Sequence, residues 1–180
     1  MLKPTLETAT QELYSLLSGN SHPPSHRAFL VDTSYSMKGT KITEAKKALT
    51  KNVQPSDKII TFGSTVQVVA FQNIFDIEPD GETAMLPAIK KAVEGLSTHL
   101  ILISDGNANE GGDAYECLDY VTRLNKIVKI DTIAIGNDCD VDLLQGLAKI
   151  SGGSTYSVND PLQLTGVMGL ICAPNQAIQL

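Results

Sequence analysis

Apolar residues recur along the chain in two rhythms: short unbroken runs, and stripes at helical spacing. Ala28-Phe29-Leu30-Val31 and Leu100-Ile101-Leu102-Ile103 are unbroken. Runs of this kind predict buried strands, and the second, which shows no alternation, predicts a central strand covered on both faces. Lys58 to Phe62, Thr65 to Phe71, Val128 to Ile135 and Ser154 to Val158 predict further strands, the last at an edge. Between them the period changes to that of a helix. Ile42, Ala45, Leu49 and Val53 predict a helix over 41–52, and Leu86, Ile89, Ala92, Val93 and Leu96 predict one over 84–96. Ala114, Cys117, Leu118, Val121 and Leu124 share a face of a helix over 113–125. Leu143, Leu144, Leu147 and Ile150 do so over 141–151, which Gly152-Gly153 ends. A final helix is expected over about 160–171. Polar, turn-rich residues 72–83 and 107–112 are expected to be loops.

Gly63-Ser64 is too short a link for a parallel crossover, so the strands it joins must be antiparallel. Elsewhere strand and helix alternate. The expected fold is therefore α/β, a doubly wound, mostly parallel open sheet of about six strands with helices on both faces and one antiparallel edge strand. Upstream, Leu6, Ala9, Leu13, Leu16 and Leu17 predict an amphipathic helix over 4–18, with Thr8 and Gln11 placed as a capping box. Pro23-Pro24 then makes an extended connector, which prevents His22 and His26 from aligning on a helix as a metal pair. The chain divides into an N-terminal helix and linker over 1–26, a domain over 27–171 and a tail over 172–180.

Charge narrows the partners. The net charge is −6 over 180 residues, and no basic cluster exceeds Lys46-Lys47 or Lys90-Lys91. Nucleic acid, which needs a positive footprint, is not an expected partner. The sequence holds no span-length apolar stretch and no basic-then-apolar leader, so neither a membrane nor secretion is expected. Cys117, Cys139 and Cys172 are odd in number, far apart and without a Cys-x-x-Cys pair, which points to reduced thiols in the cytoplasm. Cys117 is expected in the core, and Cys139 is expected exposed with no base to activate it.

The first strand runs directly into Asp32-Thr33-Ser34-Tyr35-Ser36-Met37. One carboxylate and two hydroxyls thus arrive on a loop at a strand's C-terminal end, the edge at which open parallel sheets bind ligands. Such oxygens suit a hard cation such as Mg²⁺. They equally suit a plain structural role, with Asp32 ending the strand and Ser34 or Ser36 capping a helix. Asp105, in Ser104-Asp105-Gly106, brings a second carboxylate to the same edge from the central strand. Asp138, Asp140 and Asp142 have the alternate spacing of a calcium loop. Leu143 and Lys149 stand where that loop needs Gly and Glu, so the three are read as acids at a helix N-terminus.

With Asp105 in place, the chain resembles a von Willebrand factor A domain over roughly residues 27–171. The resemblance rests on Asp32, Ser34 and Ser36, then Thr83, then Asp105, in that order, and on the stretch Ile133 to Val158 with its acidic turn, helix, Gly152-Gly153 and last strand. It implies a metal-ion-dependent adhesion site. In that site Ser34, Ser36 and sometimes Thr83 touch the metal, while Asp32 and Asp105 act largely through water. The implied ion is Mg²⁺, with Mn²⁺ or Ca²⁺ as alternatives. Two positions depart from the family pattern. Tyr35 stands where Gly is frequent, and Gly81-Glu82 precedes Thr83 where a pair of small residues is usual.

Neutral hydroxyls leave such an ion electrophilic, ready for an Asp or Glu offered by another protein. The expected function is therefore a metal-dependent protein-interaction module and not an enzyme, with Tyr35, Asn107, Asn109 and Glu110 as rim candidates. Two other readings compete. One is a Mg²⁺-dependent phosphohydrolase with Asp32 as nucleophile, which would want a carboxylate where Ser34 stands and a basic residue for phosphate. The other is a structural subunit whose metal site no longer works. Partner identity and oligomeric state do not follow from the sequence.

Overall fold

The computed structural model describes residues 26–106, 108–137 and 139–173. The helix expected over 4–18, His22, Asn107, Asp138 and the tail beyond Ala173 lie outside the described residues. His26 is described and exposed.

Six strands form one sheet in the order β3-β2-β1-β4-β5-β6. They are β1 (Arg27–Asp32), β2 (Lys58–Phe62), β3 (Val66–Val69), β4 (His99–Ser104), β5 (Lys129–Ile135) and β6 (Thr155–Val158). All neighbours pair in parallel except β2 and β3. Chain order reverses at β1, whose neighbours are β2 on one side and β4 on the other. A crevice opens at such a switch point, beyond the carboxyl ends of the two strands.

Among the described residues, five α-helices cover the sheet: α1 (Thr40–Asn52), α2 (Met85–Glu94), α3 (Ala114–Arg123), α4 (Val141–Ser151) and α5 (Leu164–Cys172). The strand alternation sorts the core into two layers. Leu30, Ile60, Leu100, Leu102 and Ile130 pack with α2, α3 and α4 through residues such as Ile89, Val121 and Leu144. Phe29, Val31, Ile59, Ile101, Ile103 and Ile133 pack on the other face with Ile42 and Leu49 of α1 and Met168 of α5. Successive residues of β4 enter opposite layers, which is why its sequence is unbroken Leu and Ile rather than alternating.

Three segments differ from expectation. The strand expected over Thr65 to Phe71 ends at Val69, and Phe71–Asp76, expected as its last residue and the start of a loop, form a 3-10 helix that buries Ile74. The helix expected over 84–96 ends at Glu94, and Leu96 adopts φ 62° beyond it. Cys139 is half-buried and packs on the core instead of lying exposed, with its thiol donating to the Gly136 carbonyl at 3.5 Å. Cys117 is fully buried as expected, and burial pushes its thiol up to about 12. None of the described helices is long and apolar enough to cross a membrane.

Candidate metal centre

The C-terminal ends of β1 and β4 carry an unusual density of buried polar residues. Asp32, Thr33, Ser34, Thr83, Ser104 and Asp105 are each at most 4% exposed. Polar groups removed from water need partners, and here they are largely one another's.

The β1 loop supplies the first three oxygens. Asp32 Oδ1 accepts from the Ser34 backbone N–H at 2.8 Å, which folds the loop back on the strand end. Ser34 then leads a short 3-10 turn over Tyr35–Met37, anchored by the fully buried Met37. Neither serine acts as a helix cap: Ser34 makes no side-chain cap bond, and α1 begins after Gly39. The Ser34 and Ser36 hydroxyls instead share a hydrogen bond at 2.9 Å. Ser36 Oγ donates onward to Asp105 Oδ1 at 2.8 Å, joining the β1 and β4 loops.

Thr83 arrives on the connection between β3 and α2, which is pinned to the β1 loop by backbone bonds. Asp80 N donates to the Thr33 carbonyl at 2.6 Å, and Tyr35 N donates to the Gly81 carbonyl at 3.1 Å. Ala84 N reaches the Gly63 carbonyl at 3.0 Å. Gly63 cannot be replaced here without a shift, since a Cβ would lie 2.3 Å from the Asp80 carbonyl oxygen. Convergence is visible at Gly106, just beyond β4. A Cβ at Gly106 would sit 3.4 Å from Thr83 Oγ1, 3.6 Å from Ser36 Oγ and 3.7 Å from Asp32 Oδ2. All five residues expected to form the site, Asp32, Ser34, Ser36, Thr83 and Asp105, are thus brought to one edge.

Electrostatics distinguish the two carboxylates. Burial raises Asp32 from 3.8 to about 6, against hydrogen bonds from Ser104 and Ser34 that favour the charged form; the nearby charge of Asp105 adds to the rise. Asp105 is ion-paired with the ammonium of Lys41, in the first turn of α1. Asp32 is held by neutral donors, Ser34 N and Ser104 Oγ, the latter at 2.5 Å. This donor set fits a hard divalent cation. It is all oxygen, it pairs two carboxylates with hydroxyls, and the charge on Asp32 is met by dipoles alone. Ser36 is exposed and Tyr35 is 66% exposed, so the cluster opens to solvent on that side.

Two contributors, Ser104 and Lys41, were not identified from sequence, and a third, Asn109, was expected only at the rim. Ser104 holds Asp32, Lys41 holds Asp105, and Asn109 clamps the Thr83 loop. The Asn109 amide oxygen accepts from Thr83 N at 2.8 Å, while its nitrogen donates to Glu82 Oε2 at 2.6 Å. Asn109 is therefore tied into the loop, beyond the rim position expected for it, and the charge of Glu82 is engaged by Asn109. Ser104 precedes Asp105 on the same strand end, which is the one signal that could have pointed to it. Near the next helix, Asp140 accepts from Leu143 N as the cap of α4, in line with its reading as a helix N-terminal acid.

A doubly wound sheet with a hydroxyl-and-carboxylate cluster at its switch point defines the class of protein. Comparison with known proteins agrees: the family model for the von Willebrand factor type A domain matches residues 28–157. The chain belongs to that family. A von Willebrand factor A domain-containing protein of Dictyostelium discoideum is 28% identical over 177 residues, covering 84% of this chain and 21% of that protein. The chain thus spans about a fifth of the length of the curated relatives it matches. Among solved structures, a von Willebrand factor type A protein from Catenulispora acidiphila superposes with a TM-score of 0.72 at 19% identity, covering 83% of this chain and 42% of that one. Proximal thread matrix protein 1 from the mussel byssus, solved with zinc in its adhesion-site motif, gives a TM-score of 0.58 at 19% identity over 82% of this chain and 46% of that one. These two likenesses concern the fold.

Proposed function

We propose that this domain is a protein-interaction module that works through a divalent cation. Asp32, Ser34, Ser36, Thr83 and Asp105 would hold the ion, Mg²⁺ first and Mn²⁺ or Ca²⁺ as alternatives. When bound, the ion would act as an electrophile that accepts a carboxylate, an Asp or Glu side chain, from a partner protein. The observation that carries this reading is the convergence of these oxygens around two buried carboxylates whose one ion pair within the cluster is that of Lys41. Family membership supports an interaction role, and the zinc-occupied motif of the byssus protein, which shares the fold, supports a metal.

The chain's own residues divide the work. Ser34 and Ser36 present hydroxyls from a turn held by Met37. Asp32 and Asp105 set the charge, with Ser104 and Lys41 fixing their planes. Asn109 holds Thr83 in place, and Tyr35 stands exposed beside the opening, where a partner would meet it. The phosphohydrolase reading is less well supported: position 34 is a hydroxyl rather than an acid, and the nearby ammonium is already engaged by Asp105. The thiols of Cys117, Cys139 and Cys172 are free, in keeping with a reducing compartment such as the cytoplasm.

The test is selection of binders from a displayed random-peptide library on the immobilised full chain in Mg²⁺. The expected binders are released by EDTA and lose binding when one Asp or Glu is changed to Asn or Gln. Binders indifferent to EDTA and to every such change would refute the reading.

A further inference from the structure

Asp105 divides its carboxylate between two neighbours. Oδ1 accepts from Ser36 Oγ at 2.8 Å, on the side of the hydroxyl cluster. Oδ2 is ion-paired with the Lys41 ammonium. The Asp105 side chain is fully buried, whereas that of Lys41 is 29% exposed. The tip of Lys41 also lies against the end of β5, where a Cβ on Gly136 would sit 3.4 Å from Lys41 Cε and 3.5 Å from Nζ. An ammonium on a long stem from α1 is thus lodged between the C-terminal ends of β4 and β5. A counter-charge offsets the cost of burying a carboxylate, and for Asp105 the chain provides one of its own.

We infer that Lys41 is a tethered counter-ion of the cation site: it takes one carboxylate charge, so that the fold tolerates loss of the divalent ion and the ion is held less tightly than the oxygens alone would hold it. The inference rests on the divalent-cation reading proposed above. Its physical basis is the division of oxygens. Lys41 fixes the carboxylate plane with Oδ1 turned toward the hydroxyls, and it places a positive charge across the same carboxylate from the ion. Repulsion between that charge and a divalent ion raises the concentration of metal needed to fill the site. A weakly held, poorly neutralised ion depends more on the partner's carboxylate to complete its coordination. Lys41 is a positioning and charge-setting residue here and not a ligand.

The experiment compares the wild-type full chain with Lys41→Met and Lys41→Arg. Thermal unfolding is followed in EDTA and across a Mn²⁺ titration, and Mn²⁺ affinity is measured by calorimetry. In EDTA, Lys41→Met should unfold at a lower temperature than wild type, because two buried carboxylates then lack a counter-ion. Mn²⁺ should raise its unfolding temperature by more than it raises that of wild type, and bind about ten-fold more tightly, the order expected for removing one repelling charge at a partly solvated site. Lys41→Arg keeps the charge and should follow wild type in both measurements. An equal or smaller Mn²⁺-induced rise in Lys41→Met, or a variant that stays unfolded at every Mn²⁺ concentration, would overturn the inference, since Lys41 would then only prop the fold. Absence of any Mn²⁺ response in wild type would remove the cation site itself, and the inference with it, so the wild-type arm separates the two failures.

Discussion

Asp32 is the residue at which stability and binding should oppose each other. Its side chain is fully buried, and its pKa rises from 3.8 to about 6. A carboxyl whose folded-state pKa lies above its unfolded value binds its proton more tightly in the native state. That contribution is fully present below pH 3.8 and is lost as pH rises through about 6. A gap of roughly two pH units corresponds to about 3 kcal/mol. Asp32→Asn removes the charge. The Asn carbonyl can still accept from Ser34 N, and the Ser104 hydroxyl can turn to accept from the amide; imperfect geometry should cost about 1 kcal/mol. At pH 7.5 in EDTA, the variant should therefore be more stable than wild type by about 2 kcal/mol, or about 4–8 °C for a domain of this size. At pH 4 the advantage should largely vanish. Adding Mg²⁺ at pH 7.5 should stabilise wild type and move the variant little, because ligand binding adds stability only where the site remains. Urea unfolding at both pH values, with and without Mg²⁺, checks all three outcomes. A variant less stable than wild type at pH 7.5 in EDTA, or equally favoured at pH 4, would refute the charge-burial reasoning.

Two further outcomes test a carboxylate near the opposite, N-terminal ends of β4 and β5 and the clamp on the Thr83 loop. Asp131 shows the opposite shift: burial would raise it, but hydrogen bonds from His99, Lys129 and Ser154 N outweigh that and pull it down to about 2. Its contribution is present above pH 3.8 and lost as pH falls through about 2, so Asp131→Asn should cost about 1–2 kcal/mol at pH 7 and almost nothing at pH 2, read by urea unfolding. An equal loss at both pH values would point to packing instead. Asn109→Ala leaves Thr83 N without its side-chain acceptor and should cost about 1–2 kcal/mol. If the clamp positions Thr83 for the ion, calorimetry should also show weaker Mn²⁺ binding, and an affinity equal to that of wild type would discard that role.

The fold was readable because each strand and helix carries its own periodicity. The Leu100 to Ile103 run could only be a strand covered on both faces, and Gly63-Ser64 allowed only a tight antiparallel link. Asp32, Ser34, Ser36 and Asp105 could be placed at one sheet edge because they sit at or just beyond strand ends, whereas Thr83 and the five as one set were named only through the resemblance to the von Willebrand factor A family. What escaped depends on tertiary approach. Lys41 reads as an ordinary charged residue of a helix's first turn until its side chain is seen to reach Asp105 and Gly136, just beyond the ends of β4 and β5. Asn109 lies 26 positions from Thr83 and meets it only when two loops fold together. The 3-10 helix over Phe71–Asp76 buries only Ile74 and leaves Phe71 and Phe75 exposed, so its apolar residues give no period to read. Cys139 stands among acids and so reads as exposed, yet the chain turns at Gly136 and folds it back onto the core.

Anomalous diffraction from crystals of the full chain grown with Mn²⁺ tests the cation site most directly. The expected result is one strong peak at the C-terminal edge of β1 and β4, bounded by Ser34, Ser36 and Thr83, with Asp32 and Asp105 facing it and Lys41 still on Asp105. No peak at that edge under saturating Mn²⁺, or a peak held by other residues, would contradict the assignment.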